Sequence, residues 1–197
     1  MSHLHGRVVA CLAVLLALSF DTRAGESSLP TFVPWKVLNP GDEPLHNDLV
    51  LYWVPSSRDE VRRSPLLTSR PLAIYSTQCV GMQLVRPDDD ERLAKLEVNG
   101  ALPAAILTTG EGTIVARVAN AGGLLRLSDV EKMVRDTLVN RDVETDRLLD
   151  DAKGKAEAGE RDEAVALYRR VWAQRCLFPR KAKDAMKALR KLGVDER

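Results

Sequence analysis

The sequence predicts an α/β fold with a helical C-terminal extension, and three observations carry that expectation. Residues 49–54, Leu-Val-Leu-Tyr-Trp-Val, are a continuous apolar run of strand formers, which suits a strand buried on both faces. From 48 to 139 the pattern alternates strand, helix, strand, helix, hairpin, helix, as a layered sheet-and-helix core requires. After Asn140 the composition shifts to alanine, charge and helix formers. With 197 residues, 45% hydrophobic and 29% charged, the chain suffices for one sizeable core plus an appendage. A net charge of +1 offers no electrostatic argument for a nucleic-acid or membrane partner.

Residues 1–24 read as a signal peptide. His3, His5 and Arg7 form a short polar start, Val8 to Leu18 is the apolar run, and small Ala24 marks the expected cleavage site. No later stretch approaches the roughly 20 apolar residues of a membrane span. Val8-Val9-Ala10-Cys11 resembles a lipoprotein box, but the apolar core follows Cys11 instead of preceding it. The expectation is export to the periplasm or beyond, an oxidising compartment.

Residues 25–47 contain Pro30, Pro34, Pro40 and Pro44, which exclude a regular helix. Thr31–Leu38 reads as an extended segment on a sheet edge, where proline is tolerated. Within it, Trp35 is better suited to a packing anchor than to a ligand contact.

After the first strand, Pro55-Ser56-Ser57 supplies a polar turn with hydroxyl caps. The helix is expected from Arg58 through Val61, kinked at Pro65, to about Ser69. Ser69 or Arg70 with Pro71 restarts it toward Gln78, since proline suits a first helical turn. Cys79 to Val85 is the next strand. Asp88-Asp89-Asp90 caps a short helix from Glu91 to Leu96, and the run lacks the glycine and glutamate spacing of a calcium loop. Strands at 105–108 and 113–118 flank the glycine-bearing turn at 109–112, a hairpin. Ser128 with Glu131 spells a capping box, and Val130, Val134 and Leu138 give the closing helix one apolar face, joined by Met133 and Thr137.

In the tail, Leu148, Leu149, Ala152 and Ala156 form one stripe. Ala164, Leu167, Tyr168, Val171 and Trp172 form a second, and Ala182, Ala185, Met186, Leu189 and Leu192 a third. Isolated helices of this length are marginal, so docking decides whether they fold. The last helix is basic, with Arg180, Lys181, Lys183, Lys187, Arg190 and Lys191 against Asp184.

The strand-then-helix junction, Pro65 five residues beyond Glu60, and Asn99 to Leu107 with its Ala-Leu-Pro together resemble the thioredoxin-like fold family. The resemblance covers 48–140 and implies a central mixed sheet flanked by helices, with a cis bond before Pro103. It also implies a shallow groove that pairs with an extended peptide. The redox Trp-Cys-Gly-Pro-Cys motif falls on Ser56 to Glu60, so Ser57 and Glu60 stand where the two cysteines belong. Residues 141–197, through Ala152, Gly159, Ala164, Tyr168, Val171 and Pro179, resemble one tetratricopeptide-like repeat plus a helix, a helical hairpin extension. Lys155 departs from that pattern, and Pro179 comes late.

Disulfide exchange needs a thiolate and a resolving thiol, which Ser57 and Glu60 cannot supply. Cys79 and Cys176 are the remaining cysteines, and a bridge between them would close a long loop worth about 4 kcal/mol in the chain-entropy model. Without a bridge, Cys79 reads as a small buried hydrophobe. His46, the one histidine after the leader, leaves a metal cluster or a Ser/His/Asp triad resting on a single residue. No cofactor motif is present. The reading is an exported, redox-inactive adaptor that binds protein or extended peptide through Trp53, Pro55, Ser56, Ser57, Arg58, Leu102 and Pro103. Its alternatives are an oxidoreductase-type enzyme using Cys79 as a single thiol, and a purely structural subunit.

Overall fold

The computed structural model describes residues 32–195 except 40, 46, 101, 119 and 121. The expected signal peptide and cleavage site, the lipoprotein-like box and His46 lie outside the described residues. Five strands make one sheet: β1 (Lys36–Leu38), β2 (Leu49–Val54), β3 (Val80–Val85), β4 (Ala104–Thr109) and β5 (Ile114–Val118). Their order is β1-β3-β2-β4-β5. β3 runs parallel to β1 and β2, while β4 is antiparallel to both β2 and β5. Six helices accompany them: α1 (Arg58–Arg63), α2 (Arg70–Thr77), α3 (Asp90–Lys95), α4 (Leu127–Glu157), α5 (Arg161–Ala173) and α6 (Pro179–Lys191). This is the thioredoxin-like α/β arrangement, a mixed sheet covered on both faces, followed by a helical region.

β2 is central, and all six of its residues are buried. Its alternation splits the core in two. Leu49, Leu51 and Trp53 meet Leu72 of α2 and Val130, Met133 and Val134 of α4 on one face. Val50, Tyr52 and Val54 join Leu38, Ile106 and Leu96, just past α3, on the other. Burying a side chain of this size stabilises by roughly 1.5–3 kcal/mol, so these two layers hold the fold.

Three local expectations differ from what is observed. The first long helix does not bend at Pro65; it stops. α1 ends at Arg63, and the Ser64 hydroxyl accepts from the Leu66 N–H as Pro65–Leu67 forms a 3-10 turn. Proline removes a helical N–H and clashes one turn back, and Ser64 offers the freed backbone a local partner. Second, Ser128 and Glu131 do not form a capping box. α4 begins at Leu127, so Ser128 is already helical, and the helix start has no side-chain cap. Glu131 instead accepts from the Ser69 hydroxyl at 2.7 Å, while the same hydroxyl accepts from the Leu72 N–H to cap α2. Third, Cys79 is not part of β3. It precedes the strand with φ at 62°, a left-handed conformation, and is bonded to Cys176 with the Cα atoms 5.8 Å apart.

At residue 140, where the sequence reading ends the core, α4 runs on unbroken to Glu157. Its second half packs with α5 and α6 around Leu148, Ala152, Ala164, Tyr168, Val171 and Leu189. Lys181 ties α6 to α4 through Asp142 and Asp146, at 2.6 and 2.7 Å. Leu177, between α5 and α6, is buried in the sheet's own core cluster. Tail and sheet therefore share apolar surface as well as a covalent bond.

Candidate binding site at the β2–α1 junction

β2 delivers Val54 and then buried Pro55 to the rim of the sheet, where Ser56, Ser57 and Arg58 are exposed. Ser57 is extended and caps α1, its hydroxyl accepting from the Glu60 N–H at 3.2 Å. Glu60 reaches back, and its carboxylate accepts from both the N–H and the hydroxyl of Ser56, at 2.6 and 2.8 Å. This is a reciprocal cap displaced by one residue from the usual box. Glu60 and Asp59 also place negative charge on the positive end of α1. Ser57 and Glu60 thus spend their polar atoms ordering the turn.

The structure separates the residues that the sequence reading grouped as one surface. Trp53 is fully buried and meets Trp35 edge-on, with ring centroids 5.4 Å apart. It cannot contact a ligand without opening the core. Its burial follows from its place on β2, on the same face as Leu49 and Leu51. Trp35 in turn donates its indole N–H to the Leu66 carbonyl at 3.0 Å, the behaviour of an anchor. Pro103 is buried and Leu102 half-buried, and the bond between them is cis. The Leu102 carbonyl accepts from the Asn120 side chain at 2.6 Å, and the Leu102 N–H donates to the Gly100 carbonyl at 3.2 Å. The backbone groups that an extended peptide would pair with at Leu102 are already engaged within the chain.

A concavity instead opens on the other side of the junction, against β1 and β3. It measures about 500 Å³ and has Val37, Pro55, Val61, Leu84 and Pro87 as its apolar lining, with Ser57, Arg58, Arg62, Arg86 and Asp88 at its polar margin. Val37 of β1 stands in register with Leu84 of β3 and is 51% exposed, so the cavity floor continues to the sheet edge. Arg86 is held by Asp88 through two hydrogen bonds, 2.8 and 2.5 Å, and the guanidinium keeps the Asp88 carboxyl below its usual range. Arg62 pairs with Asp59 at 3.9 Å, in solvent. Such a pair is weak, and Arg58 and Arg62 remain available to a ligand. Sequence reasoning found Pro55, Ser57 and Arg58 but missed Val37, Val61, Arg62, Leu84, Arg86 and Pro87. Only the pairing of β1 with β3 brings Val37 beside Leu84, and edge pairing leaves little mark in the sequence.

Among the described residues, no three His, Cys, Asp or Glu side chains are placed to hold a metal ion. No helix among them is long and apolar enough to cross a membrane. Cys79 offers no free thiol while bonded to Cys176.

No protein-family model and no curated protein matches this sequence. Among solved structures, the chain is similar to a thioredoxin from Trypanosoma brucei brucei, with a TM-score of 0.35 and 20% identity over 47% of this chain and 78% of that one. The fold assignment rests on the strand order and layering described above.

Proposed function

We propose that the protein is an exported binding protein, redox-inactive at its β2–α1 junction, that takes up an extended, acidic and apolar peptide segment there. The observation that carries this reading is the pairing of a sulfur-free, internally satisfied turn at Ser57 and Glu60 with the adjoining apolar cavity and its arginines. An extended segment laid along β1 would add a strand to an edge that β3 leaves unpaired on its outer side. One apolar side chain would then fill the cavity, and neighbouring carboxylates would meet Arg58 and Arg62. Buried area supplies affinity, and the arginines supply charge selection. The Cys79–Cys176 bond supports the reading of an oxidising compartment. The helical tail, read as tetratricopeptide-like, adds a second protein contact, and Val139 and Val143, exposed one turn apart on α4, are the residues that would make it.

The test compares two fluorescent decapeptides, one alternating valine with glutamate and the other valine with lysine, by anisotropy. The glutamate peptide is expected to bind at least about tenfold tighter, and Arg58→Glu with Arg62→Glu to reverse the order. Equal binding of the two peptides, or a preference unchanged by the double charge reversal, would overturn the proposal.

A further inference from the structure

A second site of distinct chemistry lies at the opposite pole of the sheet. Asp48 and Cys79 immediately precede the parallel strands β2 and β3, whereas the junction follows the C-terminal end of β2. Beside the disulfide, a cavity of about 470 Å³ is lined by Asn47, Asp48, Cys79, Ala173, Arg175 and Cys176. Cys176 is exposed and Cys79 half-buried. Of the two residues, Cys176 is the more open to an incoming group.

The charges around this cavity are not balanced. Burial pushes the Asp48 carboxyl above its usual range, and the Arg141 and Arg175 guanidiniums and the Leu177 N–H act against that shift. Two cations thus surround one carboxylate, one oxygen of which is buried without a hydrogen-bond donor from the protein. Arg175 lines the cavity itself, its guanidinium lying over the Trp172 ring at 5.3 Å. An anion entering the cavity is favoured over a cation.

We propose that the Cys79–Cys176 disulfide is a thiol-exchange site for small anionic thiols, with Arg175 selecting the charge of the incoming thiol. The thiolate attacks the Cys176 sulfur; a new sulfur–sulfur bond forms there, and the bond to Cys79 breaks. Cys79 leaves with the electron pair as a thiolate and takes its proton from solvent. A second thiolate then attacks the mixed disulfide, releasing the oxidised small thiol and leaving Cys176 as a thiol. Two small thiols are oxidised to one disulfide, and the protein is reduced by two electrons. Cys79, held left-handed as a non-glycine residue, is free to relax once the bond opens. Leu177 remains buried in the sheet's core cluster, so exchange unclasps the tail without expelling it.

The experiment uses the full chain with its disulfide intact, exposed separately to glutathione, an anionic thiol, and to cysteamine, a cationic one, at matched thiolate concentration. Intact mass and peptide mapping follow the adduct, and circular dichroism confirms that the protein stays folded. The glutathione adduct is expected on Cys176, forming about tenfold faster than the cysteamine adduct. Arg175→Gln should bring the ratio to about one, and Arg175→Lys should restore it. If Arg175→Gln misfolds, raising the salt concentration on the natural chain must shrink the same ratio. An adduct that forms only on unfolding, a first adduct on Cys79, or cysteamine keeping pace with glutathione would overturn the proposal.

Discussion

The Glu60 carboxylate accepts from the Ser56 backbone N–H at 2.6 Å while the Ser57 hydroxyl accepts from the Glu60 N–H at 3.2 Å. Ser57 and Glu60, which the sequence resemblance sets at the two redox positions, are therefore parts of a helix cap. Replacing Ser57 by alanine removes one half of the cap and should cost about 1 kcal/mol. Ser57→Asp, which keeps an acceptor and suits the helix dipole, should restore most of it. Urea unfolding of the three chains checks the order.

The absence of sulfur at Ser57 and Glu60 predicts that the protein neither reduces nor oxidises protein disulfides above background. Insulin-turbidity and scrambled-ribonuclease assays provide the check. Turnover that vanishes on Cys79→Ser would contradict the expectation, because it would place protein-directed redox chemistry in the second pole.

Ending the chain at Asn140 cuts α4 in its middle, removes Leu177 from the core cluster and deletes Cys176. A chain of residues 25–140 should therefore aggregate or melt well below residues 25–197. The sequence leans slightly toward a modular, partner-binding tail over a buttress, whereas the shared core favours the buttress. A cooperative melt of the short chain at an unchanged temperature would restore the modular reading. Removing the disulfide alone, by Cys176→Ser, should cost about 2–4 kcal/mol.

Gly110 packs against the backbone of Asn47, and a β-carbon there would lie 2.3 Å from the Asn47 carbonyl oxygen. The obstacle is backbone, which cannot rotate away. Gly110→Ala should destabilise by about 2 kcal/mol or more and shift the amide resonances of Asn47 and Asp48. Gly112, at positive φ with open space around it, should by contrast accept asparagine at small cost.

Asp48 gives a pH test of opposite sign to most carboxylates. Its folded pKa is raised by burial, so the folded state holds its proton more tightly than the unfolded chain. That contribution is unfavourable above the folded pKa, fades as pH falls through it, and is absent below the unfolded value near 3.8. Asp48→Asn should raise stability at neutral pH and leave it unchanged in acid, as measured by thermal melts across that range.

Much of the fold is legible in the sequence because its signals are local. The run from Leu49 to Val54 has no polar interruption, Asp89 caps the next short helix, and Ser69 with Pro71 restarts the helical path. The failures occur where one local signal admits two structures. Ser64-Pro65 fits either a kink or a stop, and a Ser64 hydroxyl bond to Leu66 decides for the stop. Ser128 and Glu131 have capping-box spacing, but α4 starts two residues too early, and Glu131 finds Ser69, 62 positions away. The binding surface is the least legible part, because Val37 meets Leu84 only through the register of an edge strand. Trp53 was within reach of sequence reasoning, since a strand buried on both faces leaves no exposed tryptophan.

The central claim is that the junction binds through the β1–β3 side and not through the loop at Pro103. Chemical-shift mapping of residues 25–197 with the alternating valine–glutamate peptide distinguishes the two. Shifts are expected at the backbone amides of Val37, Arg58, Val61, Arg62 and Leu84 alone, with the Leu102 amide unmoved. Shifts centred on Leu102 and Asn120, with Val37 and Leu84 unchanged, would contradict it.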